Sequence, residues 1–95
     1  MKLTLEVTFN DATIQRVSTN LFAVVAWERK YKKKASDMAQ GIGVEDLAFL
    51  AYESSKAHDI VVPIIFDDYI KSLANIDVVE SEEAFPTEPA PGDDN

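Results

Sequence analysis

Few residues in this chain of 95 carry groups able to do chemistry, and their spacing limits what they can do. His58 is the sole histidine; Asp59 follows it, but no suitable nucleophile is spaced to suggest a triad, so a helix-end or surface hydrogen bond is its simpler use. One histidine and no cysteine exclude the usual multi-histidine and thiolate metal motifs, and leave no disulfide framework. The acid pairs Glu45-Asp46 and Asp67-Asp68 offer oxygen ligands to a hard cation. Adjacent helix residues point apart, however, and neither pair has the spacing of a calcium loop. Both pairs fall near expected helix starts, where carboxylates meet backbone N–H groups that lack partners. Gly41-Ile42-Gly43 lacks the longer glycine pattern and the Lys-Ser/Thr ending of a phosphate loop, and reads as a turn. On these residues no catalytic, cofactor or metal site is expected, and the chain does not read as an enzyme.

The basic run carries more weight. Arg29, Lys30, Lys32, Lys33 and Lys34 surround Tyr31, and cations with an aromatic could clamp a phosphate backbone and stack a base. Against a nucleic-acid partner stand an acid-rich remainder, the lack of a recognition helix, and an acidic C-terminal segment that would compete for the same patch. A solvated helix end, or a docking patch for an acidic protein surface, is the reading preferred. The charge is unevenly placed: net −8 overall, yet residues 77–95 hold seven acids and no Lys or Arg. Residues 1–76 hold nine basic against ten acidic residues and are nearly neutral. The start MKLTLEVTF alternates instead of forming an apolar core, so no signal peptide is expected. No run reaches the roughly 18 apolar residues of a membrane span.

The elements that must position these residues follow from hydrophobic periodicity. Lys2 to Phe9 alternates, with Leu3, Leu5, Val7 and Phe9 on one face and Thr4, Glu6 and Thr8 on the other, which predicts a half-buried strand. Asn10-Asp11-Ala12 is a turn signal, and Thr13 to Val17 can return as a second strand. A lone hairpin is marginal in water, so its apolar face needs helices or further strands. Ser18, Thr19 or Asn20 can cap a helix beginning near Leu21, whose first two turns are apolar nearly all round and are expected in the core. Residues 35–43 read as a loop containing a short helical turn.

Val44 to His58 is the longest helical pattern. Val44, Leu47, Ala48, Ala51 and Ser55 recur at helical spacing, Leu50 widens the stripe, and Phe49 and Tyr52 extend it around the helix. That breadth demands packing on more than one flank. Leu47, Leu50 and Ala51 are the expected core, while Phe49 and Tyr52 are the better candidates for contact with another chain. Asp59 to Val62 is extended before Pro63, which suits the first turn of a third helix of about ten to twelve residues. Beyond Glu80, prolines and unopposed acids predict disorder; Phe85 is a lone aromatic that can anchor a short linear contact, a plain spacer being the reading preferred. The fold class is therefore α+β: an N-terminal β-hairpin packed on a small body of about three helices (1–76), followed by a disordered acidic tail (77–95).

Taken together, the N-terminal strand, the tryptophan-bearing AVVAWERKY helix, VEDLAFLAYESSKAH, PIIFDDYIKSL and the acidic Pro-containing end resemble the tail assembly chaperones of long-tailed bacteriophages. The resemblance covers about residues 3–76 and lies in a texture of short helices, with no active-site motif. Trp27 corresponds to the aromatic of the first helix, Leu47, Leu50 and Tyr52 to the central segment, and Phe66 and Tyr69 to the aromatic side of the third. The chain departs from the pattern at Tyr69, where many such segments carry tryptophan, and in its strongly basic Lys30–Lys34 run. The resemblance implies a non-enzymatic protein that binds the tape-measure protein, keeps its hydrophobic helices soluble and helps recruit major tail subunits. It further implies action in the host cytoplasm, absence from the mature virion, and compatibility with a homo-oligomer. Trp27, Arg29, Lys30, Lys32, Lys33, Lys34, Phe49, Tyr52, Phe66 and Tyr69 are the protein-contact candidates, core packing being the stronger expectation for any one aromatic. A head-tail connector component and, less favoured, a small nucleic-acid-binding regulator are the alternatives.

Overall fold

The alternation in the first nine residues becomes the central strand of a three-stranded antiparallel sheet. The computed structural model describes residues 2–82, with the side chains of residues 38–40, 81 and 82 left aside. The order of elements is β1 (Lys2–Phe9), β2 (Ile14–Ser18), α1 (Leu21–Tyr31), a 3-10 helix (Ala35–Gln40), α2 (Val44–Ala57), α3 (Phe66–Lys71) and β3 (Leu73–Glu82). The sheet order is β2-β1-β3. The fold is α+β, as the periodicity predicts.

The register of β1 explains which face is buried. Leu5 lies opposite Val17 on one side and Val78 on the other, and Val7 lies opposite Gln15 and Ile76. Leu5, Val7, Val17 and Ile76 are buried, so this face carries the helices. Cross-strand pairs on the other face are polar: Arg16 Nε donates to Glu6 Oε2 at 3.0 Å, and the Thr4 and Ser18 hydroxyls share a hydrogen bond. The hairpin turn is closed by Asp11, whose Oδ1 accepts from the Thr13 N–H at 2.9 Å. The Thr13 hydroxyl and N–H hold the Asp11 carboxyl below its usual range.

β3 changes the expected outline. Residues 73–76 are expected near the end of the third helix and 77–82 in the acidic tail, yet all ten form a strand on β1. The physical reason lies in the partner: β1 has two edges, and β2 covers only one. Val79 sits at an irregularity between the Leu5↔Val78 and Thr4↔Glu80 pairs, where the ladder shifts by one residue. The ordered body thus extends past the 76/77 boundary. Phe85 and the rest of the acidic end lie outside the described residues.

Asn20 caps α1, its Oδ1 accepting from the Ala23 N–H at 2.8 Å, and Lys32 ends the helix in the left-handed conformation. Only one side of α1 enters the core. Ala23, Val24 and Trp27 are buried, whereas Leu21 and Phe22 are 78% and 62% exposed, which corrects the expectation that both early turns are covered. After Gly41, whose φ of 120° suits no L side chain, Gly43 starts α2 and donates its N–H to Asp46 Oδ2 at 3.0 Å.

α2 is the body's axis. Leu47, Ala48, Phe49, Leu50, Ala51, Tyr52, Ser54 and Ser55 are all buried, so the helix is covered on several flanks at once. Fully burying a side chain such as Leu50 contributes about 1.5–3 kcal/mol, so this one helix holds much of the core. α1 and α2 run antiparallel. Trp27 and Tyr31 near the end of α1 reach Asp46 and Glu45 at the start of α2, while His58 after α2 reaches Ser18 just before α1. α3 is shorter than expected, and Pro63 stands before it in a non-helical segment instead of in its first turn.

Candidate protein-binding surface

Of the residues considered for chemistry, His58, Glu45 and Asp46 tie elements of the fold together. His58 Nε2 lies 3.2 Å from the Ser18 carbonyl oxygen and ties the end of α2 to the end of β2. Glu45 Oε2 accepts from the Tyr31 hydroxyl at 2.8 Å. Burial, then the Glu45 hydrogen bond and its charge, push the Tyr31 hydroxyl well above the ordinary tyrosine value. Asp46 accepts from both the Trp27 indole and the Gly43 N–H, and Lys33 Nζ stands 3.5 Å away. Asp67 and Asp68 are exposed in the first turn of α3. Among the described residues, no group of three or more His, Cys, Asp or Glu side chains is arranged to hold a metal ion.

The basic run forms a collar at the C-terminal end of α1. Arg29, Lys30, Lys32, Lys33 and Lys34 are all exposed. Carboxylates stand close to this run: Glu28 accepts from the Ala35 N–H, Asp37 from the Lys34 N–H, Glu45 from Tyr31, and Asp46 faces Lys33. Lys33 is the one of the five paired with a carboxylate among the described residues, and the other nearby acids lower the positive potential of the collar, which weakens a phosphate-binding reading. Lys30 Nζ lies 5.6 Å from the ring centroids of Tyr31 and Phe49 and 5.9 Å from that of Phe66, a cation over an aromatic row.

The aromatic contact candidates lie mostly inside. Trp27, Phe49, Tyr52 and Tyr69 are buried and Phe66 is partly so. All but Trp27 join Tyr31 in a continuous row: Phe49 meets Tyr31 and Phe66 edge-on at 5.6 and 5.5 Å, and Tyr52 meets Phe66 and Tyr69 at 5.2 and 5.1 Å. Phe49 and Tyr52 are therefore packing residues in the folded chain, not an open face. Burial raises the Tyr69 hydroxyl above its usual range, tempered by the nearby Ser55 hydroxyl, although neither oxygen has a partner in full hydrogen-bond geometry.

Phe49 is covered by Tyr31 and Phe66, and Tyr52 by Phe66, Tyr69 and the segment after α2, which leaves apolar residues of its own exposed. Residues 59–65, DIVVPII, run as a non-helical strap from the end of α2 to the start of α3. The Tyr52 hydroxyl is within 2.6 Å of the Pro63 carbonyl oxygen and 2.8 Å of that of Ile64, pinning the strap against α2. The Ile60 N–H donates to the Ser55 carbonyl at 2.9 Å and fixes its other end. Val62 packs inward. Val61 and Ile64, by contrast, are 96% and 97% exposed and Ile65 is 60% exposed. An open cleft of about 470 Å³ runs beside them, with Tyr52 and Lys56 on its wall.

The strap, tethered at Tyr52 and presenting Val61, Ile64 and Ile65 to solvent, is the candidate protein-binding surface; Ile14, Leu21, Phe22 and Val44 are exposed elsewhere. The sequence reads as an extended Asp59–Val62 leading into a helix begun at Pro63, and neither pattern says that Val61 and Ile64 face solvent. The one available signal is Pro63, which denies the segment a regular helix. The architecture is an antiparallel three-stranded sheet with helices on one face. The chain matches no protein-family model, no curated protein and no solved structure.

Proposed function

We propose that the protein is a non-enzymatic tail assembly chaperone of a long-tailed bacteriophage, acting in the host cytoplasm and absent from the mature virion. Its client is the tape-measure protein, whose apolar helices it keeps soluble while tail tube subunits are recruited around them. The observation that carries this reading is the strap: Val61, Ile64 and Ile65 are held outward by a segment pinned at Tyr52. A chaperone of this kind needs an apolar contact with charged surroundings and no reaction centre, and the strap between Asp59 and Asp67 has that composition. The resemblance of the Trp27 helix, α2 and the Phe66–Tyr69 segment to tail assembly chaperones supplies the identity of the client.

The test is co-expression of the full chain with the tape-measure protein from the same phage. A soluble complex that co-purifies, and a larger soluble fraction of the client, is the expected result. A client that stays insoluble and uncomplexed contradicts the proposal, and recovery of the protein from purified virions assigns it to the finished structure instead.

A further inference from the structure

The charges around the strap select among the things that could cover it. Asp59 precedes Val61, and Asp67 and Asp68 follow Ile65; all three are exposed and none forms an ion pair among the described residues. Lys56, the cation beside the cleft, is already engaged: its Nζ is 3.0 Å from Glu53 and 4.7 Å from the centre of the Tyr52 ring. The apolar strap therefore has an acidic group at each end.

Residues 83–95 are a poor cover, because they carry Glu83, Glu88, Asp93 and Asp94 and no base. Like charges would face Asp59 and the Asp67-Asp68 pair. Two copies joined strap to strap would oppose the same acids. The chain's own cationic run, Arg29–Lys34, contains no aliphatic residue to seat on Val61 and Ile64. Three residues of chain reach at most about 10 Å, so Val61 and Ile64 lie within the span of two turns of an α-helix.

From this we infer that the strap is a docking edge for an apolar helix with Lys or Arg at both ends of its apolar face. The helix seats on Val61 and Ile64, and its cations meet Asp59 at one end and Asp67-Asp68 at the other. The inference rests on the client-binding reading and names the chemistry of the client segment.

Two synthetic 18-residue amphipathic helices with identical leucine faces, one ending in lysines and the other in glutamates, test it against the full-length, isotope-labelled chain. The lysine peptide is expected to shift the amide resonances of Val61, Ile64 and Ile65 and to bind at least tenfold more tightly than the glutamate peptide. That preference should weaken with salt and reverse in the triple variant Asp59→Lys, Asp67→Lys, Asp68→Lys. Should the start of α3 not tolerate those changes, Asp59→Lys alone, outside any helix, should reduce the preference severalfold. Equal affinities, shifts confined to another surface, or strap shifts that appear on raising the protein's own concentration would overturn the inference, the last assigning the face to a second copy. The two levels separate cleanly. A lysine preference without a tape-measure complex removes the phage client and keeps the docking edge, whereas a complex indifferent to the triple variant does the reverse.

Discussion

The Trp27 indole Nε1–H donates to Asp46 Oδ1 at 2.9 Å, with both residues buried, so the first helix is joined to the second by a polar contact inside the core. The same carboxylate accepts the Gly43 N–H and faces Lys33, which makes Asp46 at once a helix cap, an ion-pair partner and the receptor for the sole tryptophan. Asp46→Ala strands a buried indole N–H and removes the cap. A loss of about 2–4 kcal/mol is expected, read from denaturant unfolding followed by far-ultraviolet circular dichroism. Trp27→Phe in the Asp46→Ala background should cost less than the two changes summed, because the donor left without a partner is gone.

β3 gives the second prediction. A chain ending at Glu82 keeps every described pair of the β1–β3 ladder, whereas one ending at Ile76 loses the partners of Lys2, Leu3, Thr4, Leu5 and Glu6. The 1–82 form should match the full chain in denaturant midpoint. The 1–76 form should be less stable by more than about 2 kcal/mol, since it opens the Leu5 row and leaves β1 with a bare edge.

Tyr52 tests the tether. Tyr52→Phe keeps the ring packed between Phe66 and Tyr69 and removes the contacts to the Pro63 and Ile64 carbonyls. Stability should fall by only about 1 kcal/mol. Backbone order parameters of residues 61–65 should drop, and client binding should weaken through the ordering that must then accompany it.

Alkaline pH addresses the raised tyrosines. Both Tyr31 and Tyr69 ionise above the ordinary tyrosine value in the folded chain, so the folded state holds their protons more tightly than the unfolded state does. Stability from these groups is fully present below the unfolded value of about 10 and is lost as pH rises beyond it. Phenolate absorbance should show delayed ionisation of both residues. Tyr31→Phe should flatten part of the fall in denaturant midpoint between pH 9 and 11, and an unchanged pH profile in that variant would count against the Glu45 contact.

The elements that could be read from sequence are those whose period is unbroken. β1 spans the predicted Lys2–Phe9, and α2 ends within one residue of its predicted limit, because β1 buries alternate side chains and α2 carries an uninterrupted broad apolar surface. β3 was hidden by its neighbours: Leu73 and Ala74 continue the helical track of Ile70, and the acids beyond Ile76 resemble the tail. Its alternation of Ile76 and Val78 with Asn75 and Asp77 is the signal, and its partner lies some seventy residues earlier in the chain. The Phe49 and Tyr52 side chains look displaced from the core because the helical pattern contains no hint of what covers them: Tyr31 and Phe66 for Phe49, and Phe66, Tyr69 and the strap carbonyls for Tyr52. The same fact hides the candidate site, since an extended Asp59–Val62 followed by a helix from Pro63 says nothing of Val61 and Ile64 facing solvent.

The most direct test of the central claim is the yield of soluble tape-measure complex on co-expression with the double variant Val61→Ser, Ile64→Ser. Both side chains are almost wholly exposed, so folding stability should stay within about 0.5 kcal/mol of the parent. The account predicts that the parent gives a co-purifying complex and that the folded double variant gives less than a tenth of it. A complex formed equally well by the double variant would contradict it.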